Sequence, residues 1–125
     1  MKIVILSHGN LADALAESSR FIINEAEAPL SLCLDESGIE TFSKKLKKLL
    51  DSLTGEHVLF LCDLNHGSPH NQLMLELLEY QGKMEWAIVT GVNLPMLLQA
   101  QTMQEDELSV VCEECKKAGM EGVES

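Results

Sequence analysis

Basic residues are scarce in this sequence, which has 9 lysines and arginines against 20 aspartates and glutamates. The formal net charge of −11 argues against nucleic-acid binding, because that affinity depends on neutralising phosphates with lysine and arginine. The same negative field attracts a basic protein and speeds its encounter with the chain. We therefore expect a protein partner and no nucleic acid.

Long hydrophobic runs are also missing. No apolar stretch approaches the roughly 20 residues that a helix needs to span a bilayer. The first apolar run, residues 2–6, is followed by His8 before the core of a signal peptide could form. The sequence therefore predicts a cytoplasmic protein that does not insert into a membrane.

The four cysteines do not indicate a disulfide framework. Cys33 and Cys62 fall inside apolar stretches, where cysteine acts as a small hydrophobic residue. Cys112 and Cys115 have the spacing of a redox pair, but they fall inside a predicted helix and not in a loop before one. We interpret that spacing as helical coincidence.

Strand-like and helix-like segments alternate along the whole chain. The segments predicted as strands are residues 2–6, 30–34, 57–62 and 84–90. The predicted helices are residues 11–24, a helix from Gly38 to Gly55, a helix from Ser68 to Gly82, residues 94–103 and residues 105–118. This alternation over 125 residues predicts one domain, 1–125, with a four-stranded parallel sheet covered by helices on both faces. We expect the doubly wound strand order 2-1-3-4.

Three of the helices have recognisable start signals. Asn10 can cap the first helix, and Asn93 can cap the helix that contains Pro95. Ser68 followed by Pro69 is typical of a cap and the first helical position.

The expected strand order brings His8 and Asp63 together. Strands one and three are neighbours in that order, and their carboxyl ends flank the switch point where ligands bind. His8 follows strand one and Asp63 follows strand three. If Asp63 accepts the Nδ1 proton of His8, it fixes the tautomer and leaves Nε2 as a nucleophile facing solvent.

The surroundings of this pair favour an anionic group. The Gly9 amide, the Gly67 and Ser68 amides at a helix N-terminus and the Ser68 hydroxyl are suited to bind a phosphoryl group. The sequence has no Walker-type glycine loop and no acidic cluster that would hold magnesium. We therefore predict that the phosphoryl group arrives already activated on another protein and that no metal or cofactor takes part.

Three motifs together resemble one family. They are Ser7-His8-Gly9, the segment Asp63-Leu64 with Gly67-Ser68-Pro69 and Asn71, and Gly91-Val92-Asn93-Leu94-Pro95-Met96-Leu97. Over essentially its whole length, the chain resembles the enzyme IIA domain of the mannose family of the bacterial sugar phosphotransferase system.

The resemblance implies a phosphotransferase that acts as a relay. His8 would accept a phosphoryl group from the phosphocarrier protein HPr and pass it to a histidine of an enzyme IIB domain, which phosphorylates a sugar entering through the membrane enzymes IIC and IID. Asp63 would orient His8, and Gly67 and Ser68 would contact the phosphoryl group. The residues implied to shape the nearby loop and the docking surface are Asn93, Leu94, Pro95 and Met96.

The chain departs from the family pattern beside the site. Asn65 and His66 stand where the family usually has an aromatic or apolar residue and then glycine, and His70 stands where it has phenylalanine. These residues either alter partner fit and pH sensitivity or are tolerated variation on an exposed loop. The family also tends to form homodimers by exchanging an antiparallel C-terminal edge strand. Here the tail, residues 119–125, is short, so such a strand is an open alternative.

Two other functions compete with the relay. His8, Asp63, His66 and His70 would form the site of a metal-dependent hydrolase if they converged on zinc. A regulatory domain of the same fold would use the same phosphohistidine chemistry for signalling and not for transport.

Overall fold

The computed structural model describes residues 1–24 and 26–125. Within them, four strands form one parallel sheet in the order β2-β1-β3-β4. The strands are β1 (Lys2–His8), β2 (Leu30–Leu34), β3 (His57–Cys62) and β4 (Glu85–Thr90). The helices are α1 (Leu11–Ile22), α2 (Ile39–Ser52), α3 (Ser68–Leu77), α4 (Leu94–Thr102) and α5 (Leu108–Glu121), with a short 3-10 helix, Leu78–Tyr80, after α3. The predicted fold class, strand order and parallel pairing are confirmed.

The central strands β1 and β3 are buried on both faces, which explains why their sequences are nearly continuous apolar runs. On one face, Val4 and Leu6 of β1 pack with residues of α2 and α3 such as Phe42 and Leu73. The residues of the second core, under α1, α4 and α5, include Ile3, Ile5, Ala12, Leu59, Leu61, Leu97 and Val111. Burying each large apolar side chain stabilises the fold by about 1.5–3 kcal/mol. Helices therefore cover both faces, as expected.

The strand register places the candidate site at the carboxyl edge of the sheet. Leu6 pairs with Cys62 of β3 on one side of β1, and His8 pairs with Leu34 of β2 on the other. The chain leaves β1 towards β2 but later returns to the opposite side of β1 to form β3. The gap between the ends of β1 and β3 is the switch point that doubly wound sheets use for ligands.

Several boundaries differ from the predicted ones. β1 runs to His8 because its end pairs with β2. α1 ends at Ile22 and not at residue 24, and α5 covers Leu108–Glu121 and not 105–118. Gly119 therefore lies inside a helix and does not end it.

The tail does not form an edge strand in the part of the chain that the structure describes. Residues 119–121 belong to α5, and residues 122–125 lie outside any strand. The end of the chain continues the helix in this structure, and exchange of an antiparallel C-terminal edge strand in a homodimer stays a prediction.

Two of the three predicted caps are also wrong. The Asn10 side chain makes no capping hydrogen bond with the described residues, and the buried Ser7 Oγ instead accepts from the Ala12 N–H at 2.7 Å. Ser68 is the first residue of α3, one position beyond the cap. The Asn93 cap is confirmed, because its Oδ1 accepts from the Met96 N–H at 3.1 Å.

Within residues 1–24 and 26–125, no helix is long and apolar enough to cross a bilayer.

Candidate functional site

His8 and Asp63 are brought together by the ends of β1 and β3. The Asp63 N–H donates to the Leu6 carbonyl at 3.1 Å, which extends the β1–β3 ladder by one residue and directs the carboxylate towards β1. The His8 ring Nδ1 lies 2.8 Å from Asp63 Oδ2. The His8 side chain is 43% exposed, whereas that of Asp63 is only 9% exposed. The structure thus joins a largely buried carboxylate to an accessible imidazole.

Asp63 is held as an ionised acceptor. Its Oδ2 also accepts from the His8 backbone N–H at 2.9 Å, and its Oδ1 accepts from the Leu64 N–H at 2.8 Å. Burial alone would raise the pKa of Asp63, but the hydrogen bonds from His8 and Leu64 outweigh it and leave the pKa below its ordinary value. An ionised carboxylate only accepts hydrogen bonds, so the proton of the shared bond sits on His8 Nδ1.

The other ring nitrogen of His8 remains available for chemistry. None of the residues that the structure describes hydrogen-bonds to Nε2, and the ring is accessible to solvent. With the proton on Nδ1, Nε2 carries the lone pair. The arrangement can therefore attack an electrophile and hold the transferred group, while Asp63 stabilises the positive charge that develops on the ring.

The three residues expected to bind an anion, Gly9, Gly67 and Ser68, do not all have a free donor. The Gly9 N–H donates to the Leu34 carbonyl at 2.7 Å, and the Gly67 N–H donates to the Leu64 carbonyl at 3.2 Å. Both amides are therefore engaged within the chain, and a phosphoryl contact from Gly9 or Gly67 stays a prediction. The exposed Ser68 is different: its N–H and hydroxyl have no hydrogen-bond partner among the described residues, and it lies at the N-terminus of α3.

Gly67 contributes space to the site. A β-carbon at this position would lie 2.8 Å from His8 Cε1 and 3.2 Å from Leu64 Cβ. The backbone angles of Gly67 (φ −70°, ψ 165°) suit any residue, so the requirement for glycine is purely steric. The backbone at Gly67 therefore forms a wall against one edge of the imidazole.

The loop before Gly67 is exposed, but hydrogen bonds to α3 hold its backbone in place. Asn65 and His66 are both exposed, and their contact with a partner stays a prediction. The His66 backbone adopts φ 63°, donates its N–H to His70 Nδ1 at 3.0 Å and accepts at its carbonyl from Asn71 Nδ2 at 3.0 Å. The sequence reasoning missed this role of His70 and Asn71, and their positions in the first turn of a helix that follows the loop were the available signal.

The segment after β4 is mainly structural. Asn93 caps α4 and also donates from Nδ2 to the Gly119 carbonyl of α5 at 2.9 Å. Met96 is only 5% exposed and lies against Gly119, so its expected place on a docking surface is wrong. Leu94 is half-buried, and Pro95 is exposed but contacts Gly122. The prediction that this segment shapes the loop is consistent with these contacts.

The metal-site alternative has no geometric support. His8 Nδ1 is bound to Asp63 and His70 Nδ1 to the His66 N–H, so each ring could reach a metal only through Nε2. Across residues 1–24 and 26–125, no three histidine, cysteine or acidic side chains are arranged to hold a metal ion.

The Cys112–Cys115 pair lies within α5, where burial raises the pKa of Cys115 to about 12. Its thiol is therefore unreactive at neutral pH.

A family model described as "PTS system fructose IIA component" (EIIA-man) matches residues 2–116. The chain belongs to this mannose-type enzyme IIA family of the sugar phosphotransferase system. The resemblance stated from the three motifs is thereby confirmed, and this membership is consistent with phosphoryl relay.

The chain is also similar in sequence to individual proteins whose names contain enzyme IIA components. The chain is 35% identical over 107 residues to the "PTS system fructose-specific EIIA component" of Bacillus subtilis (strain 168), covering 84% of this chain and 71% of that protein. It is 31% identical over 112 residues to the "PTS system mannose-specific EIIAB component" of Escherichia coli (strain K12), covering 86% of this chain. The match spans 33% of that longer protein.

A solved structure supports the fold of this enzyme IIA family member. The "Mannose/sorbose specific IIA subunit of phosphotransferase system from Enterococcus faecalis" superposes with a TM-score of 0.88 over 99% of this chain and 92% of that one. At 24% sequence identity, this similarity concerns the architecture alone.

Proposed function

We propose that the chain is a phosphoryl carrier that accepts the group on His8 Nε2 and passes it to another protein. The observation that carries this proposal is the 2.8 Å contact between His8 Nδ1 and Asp63 Oδ2, combined with an exposed ring. A histidine held in one tautomer by a carboxylate is suited to nucleophilic transfer. We propose the phosphocarrier protein HPr as donor and an enzyme IIB domain as acceptor, in keeping with membership in the enzyme IIA family.

The proposed step is an in-line displacement at phosphorus. The lone pair of His8 Nε2 forms the new N–P bond, and the bond from phosphorus to the donor protein breaks with its electron pair returning to the donor. The proton on Nδ1 stays in the hydrogen bond to Asp63, whose negative charge stabilises the ring as it becomes cationic. In the onward step, a nucleophile of the acceptor protein forms the new bond to phosphorus, and the N–P bond breaks with its electron pair returning to His8 Nε2.

Ser68 is proposed to bind the phosphoryl oxygens. Its N–H and hydroxyl lie at the N-terminus of α3, where the helix dipole favours negative charge. Gly67, whose backbone lies against the His8 ring, connects this helix start to the imidazole. The strongly acidic chain, with net charge −11, favours encounter with a partner that carries a basic surface.

Reconstituted phosphotransfer tests the proposal directly. The purified chain is incubated with phosphoenolpyruvate, enzyme I and HPr, and an acid-labile phosphate is mapped by mass spectrometry. We expect one phosphate on His8 and none in His8→Ala. His57→Ala is the matched control, because His57 is exposed at the opposite end of the sheet and lies 3.7 Å from Glu85. Phosphate that persists in folded His8→Ala would contradict the proposal.

A second reaction tests the onward transfer. Phosphorylated chain, freed from HPr, is mixed with an enzyme IIB domain, and the phosphate on each protein is followed with time. Transfer to IIB supports a role in sugar uptake. Phosphate that stays on His8 in the presence of IIB domains would favour the regulatory alternative.

A further inference from the structure

The backbone of His66 has a conformation that side chains disfavour. Its φ of 63° lies in the left-handed region, where a β-carbon crowds the neighbouring carbonyl oxygen and where glycine is usually found. His66 is exposed, so no packing of its own side chain in a core compensates for this conformation. Other contacts must therefore hold the backbone in place.

Two side chains from the first turn of α3 hold the His66 peptide groups. His70 Nδ1 accepts from the His66 N–H at 3.0 Å, and Asn71 Nδ2 donates to the His66 carbonyl at 3.0 Å. His70 is only 6% exposed, so its ring is fixed and its nitrogen is shielded from water. A backbone N–H can only donate, so His70 Nδ1 is an unprotonated acceptor and its proton is on Nε2.

The position of His66 determines the position of the next residue, Gly67. The site for a β-carbon on Gly67 is only 2.8 Å from His8 Cε1, so the backbone there touches the edge of the imidazole. The Gly67 N–H also bonds to the Leu64 carbonyl, and the Leu64 N–H bonds to Asp63. A shift of the His66 backbone would therefore move the Gly67 backbone beside the His8 ring. It would also disturb the hydrogen bond from Leu64 to the Asp63 carboxylate, which orients His8.

We propose that His66 and His70 are a coupled pair in which His70 positions the loop beside the phosphoryl-accepting imidazole by stabilising the left-handed backbone of His66. His70 is a positioning residue, since it acts on His8 only through His66 and Gly67. The link to transfer rate rests on the proposed function, whereas the link between His70 and the loop does not.

Burial, together with the neighbouring His66, keeps the pKa of His70 below its ordinary value, which preserves the unprotonated acceptor. The His66 and His70 ring centroids are 5.6 Å apart at an interplanar angle of 41°, so the rings are not stacked face to face. The backbone hydrogen bond is thus the specific contact between these two residues.

A double-mutant cycle tests the coupling. His70→Phe keeps a buried ring but removes the acceptor, and we expect phosphorylation of His8 by phospho-HPr to slow about tenfold. His66→Gly sets the reference rate of the cycle, because glycine adopts the left-handed conformation without support from His70. The double variant His66→Gly/His70→Phe should transfer at close to the rate of His66→Gly. Additive losses in the cycle would overturn the coupling.

Rescue by a conservative variant separates positioning from packing. His70→Asn places an amide oxygen near the site of Nδ1, and we expect it to transfer faster than His70→Phe although it fills less of the core. If His70→Asn is as slow as His70→Phe while both remain folded by circular dichroism, the acceptor is not the cause and the proposal fails.

Amide hydrogen exchange gives a readout that needs no phosphate. We expect the His66 amide to be protected in the native chain and to exchange at least about tenfold faster in His70→Phe. A native chain that is never phosphorylated would defeat the proposed function but leave this exchange result meaningful. If the native chain is phosphorylated but its His66 amide exchanges as fast as in His70→Phe, the coupling between His66 and His70 is contradicted and the proposed function is not.

Discussion

Asp63 Oδ2 accepts two hydrogen bonds from His8, one from the ring Nδ1 at 2.8 Å and one from the backbone N–H at 2.9 Å. One carboxylate oxygen therefore fixes both the ring and the main chain of the same residue. This double contact ties the end of β1 to the end of β3 and holds the imidazole in one tautomer. It is possible only because the two strands are neighbours in the sheet.

Replacing Asp63 tests this contact. Asp63→Asn keeps a similar shape but loses the charge that stabilises a cationic ring, and we expect phosphotransfer to slow about 10- to 100-fold, as for the loss of a charged hydrogen bond. The rate of acid-labile phosphate formation measures the effect. Asp35→Asn is the control, since Asp35 is an exposed acid that follows the neighbouring strand, and its carboxylate bonds to Ser37 alone among the described residues. Equal rates in the two variants would remove Asp63 from the mechanism.

The pH dependence of stability gives a second test of Asp63. Because its pKa is lowered on folding, the ionised form stabilises the protein above the ordinary value of 3.8. That contribution is lost as pH falls through the lower pKa of the folded state. We expect the unfolding free energy of the native chain to exceed that of Asp63→Asn most at neutral pH, with the difference shrinking in acid. Urea unfolding at several pH values measures it, and a difference that stays constant with pH would contradict the assignment.

Gly67→Ala tests the steric wall beside His8. The new methyl group would lie 2.8 Å from His8 Cε1, so the ring or the loop must move. We expect at least about tenfold slower phosphotransfer, because small displacements of a reacting group are costly. The ring signals of His8 in NMR spectra should shift as well. Unchanged His8 signals and a native rate would show that the loop yields without disturbing the imidazole.

Substitutions of Ser7 and Asn10 should differ in their effect on stability, because only the Ser7 side chain caps α1. Ser7→Ala leaves the buried Ala12 N–H without its acceptor, and we expect a loss of about 1–2 kcal/mol in unfolding free energy. Asn10→Ala removes an exposed side chain that makes no cap, and we expect a change below about 0.5 kcal/mol. Chemical unfolding of both variants gives the comparison. A larger effect for Asn10→Ala would restore Asn10 as the cap.

The existence and order of the elements were predictable because the signals are local or topological. Apolar runs such as residues 57–62 identify buried strands, and regular alternation with helices leaves few parallel topologies. The predicted strand order also places His8 beside Asp63, since the two residues follow neighbouring strands. The Asn93 cap was also predictable, since its acceptor and the Met96 N–H are only three residues apart.

The roles of loop groups were not predictable in the same way. The Gly9 amide and the Ser7 hydroxyl are both near the expected site, yet the first donates to Leu34 of β2 and the second caps α1. Met96 lies next to the candidate surface in sequence but is buried against Gly119. Each partner belongs to another element or turn, so only the packed chain shows which polar group is satisfied and which is free.

By itself, the sequence determined the order of strands and helices and the acidic character of the chain, because hydrophobic periodicity and residue chemistry are properties of the chain. It also indicated an imidazole and a carboxylate as the pair for which we propose phosphoryl transfer. Tertiary structure decided which nitrogen of His8 is free, that Gly67 supplies space and that His70 supports His66. These depend on ångström-scale distances between residues that meet only when two strands and a helix end come together at one edge of the sheet.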